Sequence, residues 1–268
     1  MEQVGAGETA DALRRAAEIN PLFALAHGEA PAPGDGWRSA AGLVDPADPA
    51  ATDLVGAVDG WLGGAEPRVV ASLAVLGYSA RLLAPALAVL LRDGLLLDMR
   101  PERVWWRFET GRGFTLRLTP PAGWRPADPE CWCRQVVAGH LEPVIAAVRR
   151  VAPVAEGLLW GNAASSLAGT LRTLALASVA PLATCRDTGR AMLAYGPLRG
   201  TGTLVEHSGQ LFFVRRSCCL YYRLPGGGLC GDCALVEPAE RQRQWAHATA
   251  HAESPDGGAV LPSPPEVP

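Results

Sequence analysis

Four of the seven cysteines in this 268-residue chain, Cys218, Cys219, Cys230 and Cys233, fall within sixteen residues as C-C-x10-C-x2-C. No other feature constrains the chain so tightly. Four thiolates at that density can chelate a metal centre unaided, and the rest of the fold must then hold this stretch steady. Cys230 and Cys233 can reach one metal from a single turn, a half-site shared by zinc knuckles, thioredoxin-like redox loops and iron–sulfur proteins. Adjacent Cys218 and Cys219 are less common. Neighbouring side chains on an extended chain point to opposite sides, so the backbone must bend before both sulfurs converge. Structural zinc sites space their ligands by two to four residues, and the C-C pair argues against an ordinary zinc site.

The residues between the pairs suit a bulky, anionic, sulfur-rich group. Gly226, Gly227, Gly228 and Gly231 can take positive φ and let backbone N–H groups approach sulfur. Arg215, Arg216 and Arg223 offer charge against four thiolates. The N-terminus carries no basic start followed by an apolar run, so the expected location is the cytoplasm. In that reducing compartment an odd number of cysteines is expected to serve metal ligation before disulfides.

The spacing and its flanks, RRSCCLYYRLPGG followed by LCGDC over residues 215 to 236, resemble the siderophore-iron reductase family typified by FhuF. A weaker likeness continues upstream through Leu159-Trp160-Gly161-Asn162 and the helical stretch near residues 67 to 92. The resemblance implies that Cys218, Cys219, Cys230 and Cys233 bind a [2Fe–2S] cluster, with no catalytic group required beyond these ligands. It also implies a ferric siderophore as substrate.

Composition narrows the alternatives. A chain with 49% hydrophobic residues can bury a full core. A net charge of −3 gives no field to attract nucleic acid. All 24 basic residues are arginine, which reads as nucleotide-composition bias. In the apolar region from 69 to 98, Arg81 and Arg92 interrupt runs that fall short of the roughly 20 residues that span a bilayer. A buried helical pair is expected there, and attachment to a membrane could only be peripheral at its inner face.

Taken in order, residues 8 to 19 read as a helix, and Gly28 to Pro49 as a long surface loop. A helix capped by Thr52 or Asp53 is expected to run to Leu62, where Gly63-Gly64 ends it. Residues 67 to 92 carry a core-facing helical stripe that Pro85 should kink or split. Arg103 to Phe108 and Phe114 to Leu118 read as a β-hairpin, with Trp105 and Trp106 on opposite faces. Cys131, Cys133 and Cys185 are read as structural thiols, and His140, on the stripe from Val137 to Arg150, as a packed imidazole. Residues 156 to 180 read as the longest uninterrupted helix, with Asn162, Ser165 and Ser166 bringing polar groups close to Trp160; Trp160-Gly161-Asn162 reads as a capping and packing corner, and the family resemblance implies the alternative of a place near the cluster or substrate. A second hairpin, Gly202 to Glu206 and Leu211 to Val214, delivers the chain to Cys218. Residues 238 to 253 read as a terminal helix with His247 and His251 on one face.

The expected class is α+β, a mainly helical body with two small antiparallel hairpins and a C-terminal cysteine-rich cluster-binding segment. Its divisions are a helical body over residues 1–198, a [2Fe–2S]-binding region over 199–253, and a proline-rich disordered tail over 254–268. No Gly-rich dinucleotide fingerprint lies between a strand and a helix, so an external electron donor such as a ferredoxin or flavin reductase is implied. The expected activity is one-electron reduction of a ferric siderophore to release ferrous iron. A [2Fe–2S] carrier or redox sensor without that activity, a structural zinc protein, and a siderophore biosynthesis or transport accessory are the alternatives.

Overall fold

The computed structural model describes residues 2–251, without the side chain of His251; the expected tail at 254–268 and the His247–His251 face lie wholly or partly outside the described residues. The chain runs β1 (Glu2–Val4), α1 (Ala6–Ala17), β2 (Ala26–His27), β3 (Arg38–Ser39), α2 (Ala41–Val44), α3 (Ala50–Leu62), α4 (Pro67–Asp93) and β4 (Leu96–Leu97). It continues with β5 (Val104–Glu109), β6 (Gly113–Leu118), β7 (Gly123–Arg125), α5 (Pro129–Trp132), a π-helical stretch (Cys133–Leu141) and α6 (Glu142–Val151). Then follow α7 (Glu156–Leu176), α8 (Leu182–Leu193), β8 (Gly202–His207), β9 (Gln210–Arg215) and α9 (Pro238–His251). The class is α+β, a helical body with small sheets and a cysteine-rich segment near the C-terminus.

The body is built on α4, whose residues from Ser79 and Leu82 to Val89 are almost wholly buried. Pro85 does not divide it. The helix runs unbroken for 27 residues, so the expected pair is one helix, and α4 rather than the 21-residue α7 is the longest. Proline removes one backbone hydrogen bond, and burial of both flanks by α7 and α3 holds the two halves in register. Its length and apolar composition would suffice to cross a membrane, but most of it is buried within the protein. Gly63 and Gly94 end α3 and α4 in the left-handed conformation, where glycine has no Cβ penalty. At its start α3 differs from expectation. It begins at Ala50, where Asp48 accepts the Ala50 N–H at 2.8 Å, and Asp53 lies inside the helix, paired with Arg38.

Both expected hairpins form. In the first, Trp105 pairs with Arg117 and Trp106 with Leu116; Trp106 is buried, and Trp105, half-exposed, donates its indole N–H to Thr119. Short strands enlarge this hairpin to four strands in the order β2-β6-β5-β3, and a separate sheet has the order β1-β7-β4. The stretch from Gly28 to Pro49 is therefore not only loop. It supplies β3 and α2 and buries Ala40 and Leu43 completely. His140 is sealed between Tyr78 and Met99, accepting the Tyr78 hydroxyl at Nε2 (2.7 Å) and donating from Nδ1 to the Met99 carbonyl.

The second hairpin, β8 with β9, packs on α7 and α8, and its Leu204, Leu211 and Phe213 join the same apolar core as the body. Trp245 of α9 stacks on Phe212 at 4.7 Å between ring centroids. The cysteine segment thus leaves a strand anchored in the core and returns to a helix clipped on that strand.

Candidate metal centre

The first turn of the site is made by a strained residue. Leu220, directly after the cysteine pair, has φ 67° and ψ 4°, a left-handed conformation that costs a bulky L-residue roughly 1–2 kcal/mol. This reversal bends the chain as the C-C spacing demands. A single 3-10 turn, Tyr221–Arg223, follows. Among the expected glycines, Gly226 alone takes a positive φ, at 70°. Gly227 is required for another reason: a Cβ there would lie 2.2 Å from the Tyr221 carbonyl oxygen, so only glycine lets the loop fold back so closely.

The four thiols converge as two pairs. Cys219 and Cys230 approach to 3.7 Å between sulfurs, and Cys218 has Cys233 as a neighbour. All are free thiols, and 3.7 Å is far beyond the roughly 2.05 Å of a disulfide. It is close to the bite of two thiolates on one tetrahedral metal, about 3.8 Å for metal–sulfur bonds of about 2.3 Å. Cys219 and Cys233 are buried, while Cys218 and Cys230 are half-exposed. Among the described residues no group of three or more His, Cys, Asp or Glu is arranged around a single ion. A paired arrangement suits a two-metal cluster better than one tetrahedral ion.

Backbone amides support the sulfurs. The Leu220 N–H points to Cys218 Sγ at 3.3 Å and the Leu235 N–H to Cys233 Sγ at 3.4 Å. The hydrogen bond shared with Cys230 holds the Cys219 thiol below its ordinary value, against the opposing effect of burial; backbone amides and the Arg215 charge act in the same direction as the bond. Cys230, its partner, is pushed upward by that bond and by burial, and Cys218 is raised chiefly by burial.

The body reaches the segment through polar side chains on apolar helices. Ser72 of α4 donates to the Cys219 carbonyl at 2.6 Å. Asn162 of α7 donates to the Ser72 carbonyl and hydroxyl oxygens at 2.7 and 2.9 Å, and its own side-chain oxygen accepts from Arg215. Ser165, also on α7, donates to the carboxylate of Asp232, which lies between the second pair of cysteines. The Trp160-Gly161-Asn162 corner is therefore no cap. It sits inside α7, and Gly161 leaves room for the chain at Arg215 and Ser217, since a Cβ there would meet Ser217 Oγ at 2.3 Å.

Comparison with known proteins matches both parts of this architecture. Residues 75–195 match the family model described as ferric iron reductase FhuF-like transporter, and residues 215–235 that of the FhuF 2Fe–2S C-terminal domain. The chain belongs to the FhuF-like family. A relative, the ferric siderophore reductase of Escherichia coli (strain K12), is 29% identical over 182 residues, covering 63% of this chain and 67% of that protein. The FhuF 2Fe–2S match spans the whole C-C-x10-C-x2-C stretch, and the cofactor of this FhuF-like chain is a [2Fe–2S] cluster. The residues present fit it: four free thiols in two pairs, sulfur-directed amides, and a buried guanidinium whose Nε–H finds no partner among the described residues.

The remaining expected features separate cleanly from the site. Cys133 and Cys185 are buried, with thiols pushed up to about 12 and about 11 by desolvation, and Cys131 lies beside Arg134. Of the three flanking arginines, Arg215 is buried, Arg216 is exposed, and Arg223 turns outward onto Glu66 at 2.7 and 2.8 Å. Ser72 and Asp232 went unread in the sequence, and Ser165 was read only as a polar group close to Trp160. Asp232 carried a signal in retrospect, being an acid placed between two metal-ligand candidates.

Proposed function

We propose that this chain is an iron–sulfur enzyme that reduces ferric siderophores, with Cys218, Cys219, Cys230 and Cys233 as the cluster ligands. Cys219 with Cys230, and Cys218 with Cys233, are the pairs that would each hold one iron. When bound, the cluster supplies one-electron transfer, and plant-type cysteine-ligated examples work near roughly −400 mV. Hydroxamate and catecholate siderophores grip ferric iron with hard anionic oxygens and ferrous iron far less, so one electron suffices to loosen the metal. Residues 199–253 carry the centre, and residues 1–198 form the body against which the substrate docks. The half-exposed Cys218 and Cys230 edge is the face nearest to solvent, and two surface clefts elsewhere are not lined by the cysteine segment. Substrate and donor are therefore taken to approach the centre from outside, and the donor to be a separate ferredoxin or flavin reductase in the cytoplasm.

The observation that carries this reading is the convergence of four free thiols into two pairs within a FhuF-type 2Fe–2S segment. Anaerobic purification followed by absorption and electron paramagnetic resonance spectra, before and after dithionite, tests the cluster. Ferrous iron trapped from a ferric hydroxamate or catecholate siderophore during single turnover of the reduced protein tests the reaction. A colourless protein with stoichiometric zinc ends the proposal. A coloured protein that does not accelerate iron release is a carrier or sensor instead.

A further inference from the structure

Arg215, Arg216 and Arg223 are equivalent in the sequence, and the fold makes them different. Arg215 closes β9 at 3% exposure, inside a polar chain that joins three elements. Its guanidinium donates to Asn162 Oδ1. Asn162 donates in turn to Ser72, and Ser72 donates to the Cys219 carbonyl at 2.6 Å. The Arg215 backbone N–H also donates to the Asp232 carbonyl at 3.1 Å, so one residue ties the first cysteine pair to the second. Its Nε–H is buried without a partner among the described residues.

A guanidinium keeps its proton in any protein environment, so this is a fixed positive charge set in a poorly solvated place. Through Asn162 and Ser72 it is tied to the Cys219 carbonyl, and Cys219 lies 3.7 Å from Cys230 between sulfurs, so its influence falls on that side of the site. The other charged groups close by are the Asp232 carboxylate, bonded to Ser165, and Arg172, both of which interact with one another. Reduction adds one electron and no proton to an already anionic cluster. A fixed cation stabilises the reduced form more than the oxidised one, by more at low dielectric than in water.

We propose that Arg215, oriented by Asn162 and Ser72, is the positioning residue that sets the cluster's reduction potential, acting on the Cys219–Cys230 side. This rests on the iron–sulfur reading above. It assigns Arg215 no contact with substrate, and it gives Arg216 and Arg223 no comparable part.

The test is anaerobic redox titration of the full-length, cluster-loaded protein, with mediators and dithionite, read by visible absorption and electron paramagnetic resonance. Arg215→Gln is expected to shift the reduction equilibrium at least tenfold toward the oxidised form, about 59 mV for one electron. Arg215→Lys keeps the charge and should recover most of that shift. Asn162→Ala should move the potential in the same direction by less, and Arg216→Gln should leave it in place. An unchanged potential in loaded Arg215→Gln overturns the proposal, as does an equal shift in Arg216→Gln. Should Arg215→Gln fail to hold iron, loaded Asn162→Ala decides: a potential identical to the parent's overturns it. A colourless parent protein would instead sink the reductase reading, so the two failures are distinguishable.

Discussion

The helical body and the cysteine segment are held by different physics. Around α4 the residues facing inward are Leu82, Leu83, Leu87 and Val89, all essentially without exposure, and burial of each such side chain is worth about 1.5–3 kcal/mol. Between Cys218 and Cys233 the only buried aliphatic residue is Leu224, and Tyr222 and Leu229 are exposed. What fixes this stretch is a set of hydrogen bonds to Ser72, Ser165 and the Arg215 backbone, a strained turn and four thiols. A segment with so little apolar burial has low local stability on its own. Its order depends on the body beneath it and on what its sulfurs bind.

The largest expected effect breaks the two regions apart. Cys219→Ser removes one sulfur from the 3.7 Å pair and should abolish visible absorption and the reduced paramagnetic signal completely. The far-ultraviolet circular dichroism of the body should be retained. Were the body to lose its helicity along with the colour, the two regions would be one cooperative unit and the comparison would fail.

The next effect belongs to the body alone. Burial is the main reason that His140 is pushed down to about 4, with the bond to Met99 opposing it in part, while an unfolded chain protonates histidine near 6.5. Between those values the unfolded state binds the extra proton. The stability linked to neutral His140 is therefore complete above about pH 6.5 and lost as the pH falls toward 4, by about 3 kcal/mol. Chemical denaturation at pH 7.5 and 4.5 should show this loss, and His140→Gln should flatten it. A parent protein with equal stability at both values would contradict a sealed, neutral imidazole.

These contrasts explain what was legible in the sequence. The body announced itself because apolar periodicity reports burial directly: α1, α4, α7 and both hairpins lie where the stripes and alternations put them. The pairs of residues in β2, β3 and β4 are too short to carry any period, and Pro85 misled because tertiary packing outweighs a local breaker. The four cysteines were legible from spacing and type. Their support was not, since Ser72, Asn162, Arg215 and Cys219 are joined across 53 to 147 positions of sequence, and a serine on an apolar helix gives no sign of where its hydroxyl goes. Asn162 was noticed, but only the fold shows that it serves Arg215 and not a helix end.

The smallest effect probes the turn that the spacing requires and that no residue type announces. Leucine carries no preference for positive φ, yet Leu220 adopts 67°, and the conformation persists because Cys219 is pinned by Ser72 on one side and Leu220 donates to Cys218 Sγ on the other. At an ordinary position, alanine is more stable than glycine because it loses less backbone entropy on folding. Here the order should invert. Leu220→Gly and Leu220→Ala lose the same leucine side chain, while only glycine relieves the left-handed strain, so the glycine variant should be the more stable by about 1 kcal/mol. Equilibrium urea unfolding of the two variants reads this difference directly. Alanine equal to or better than glycine would mean that the chain rounds the cysteine pair by another path, and that the two sulfurs are brought together without a strained turn.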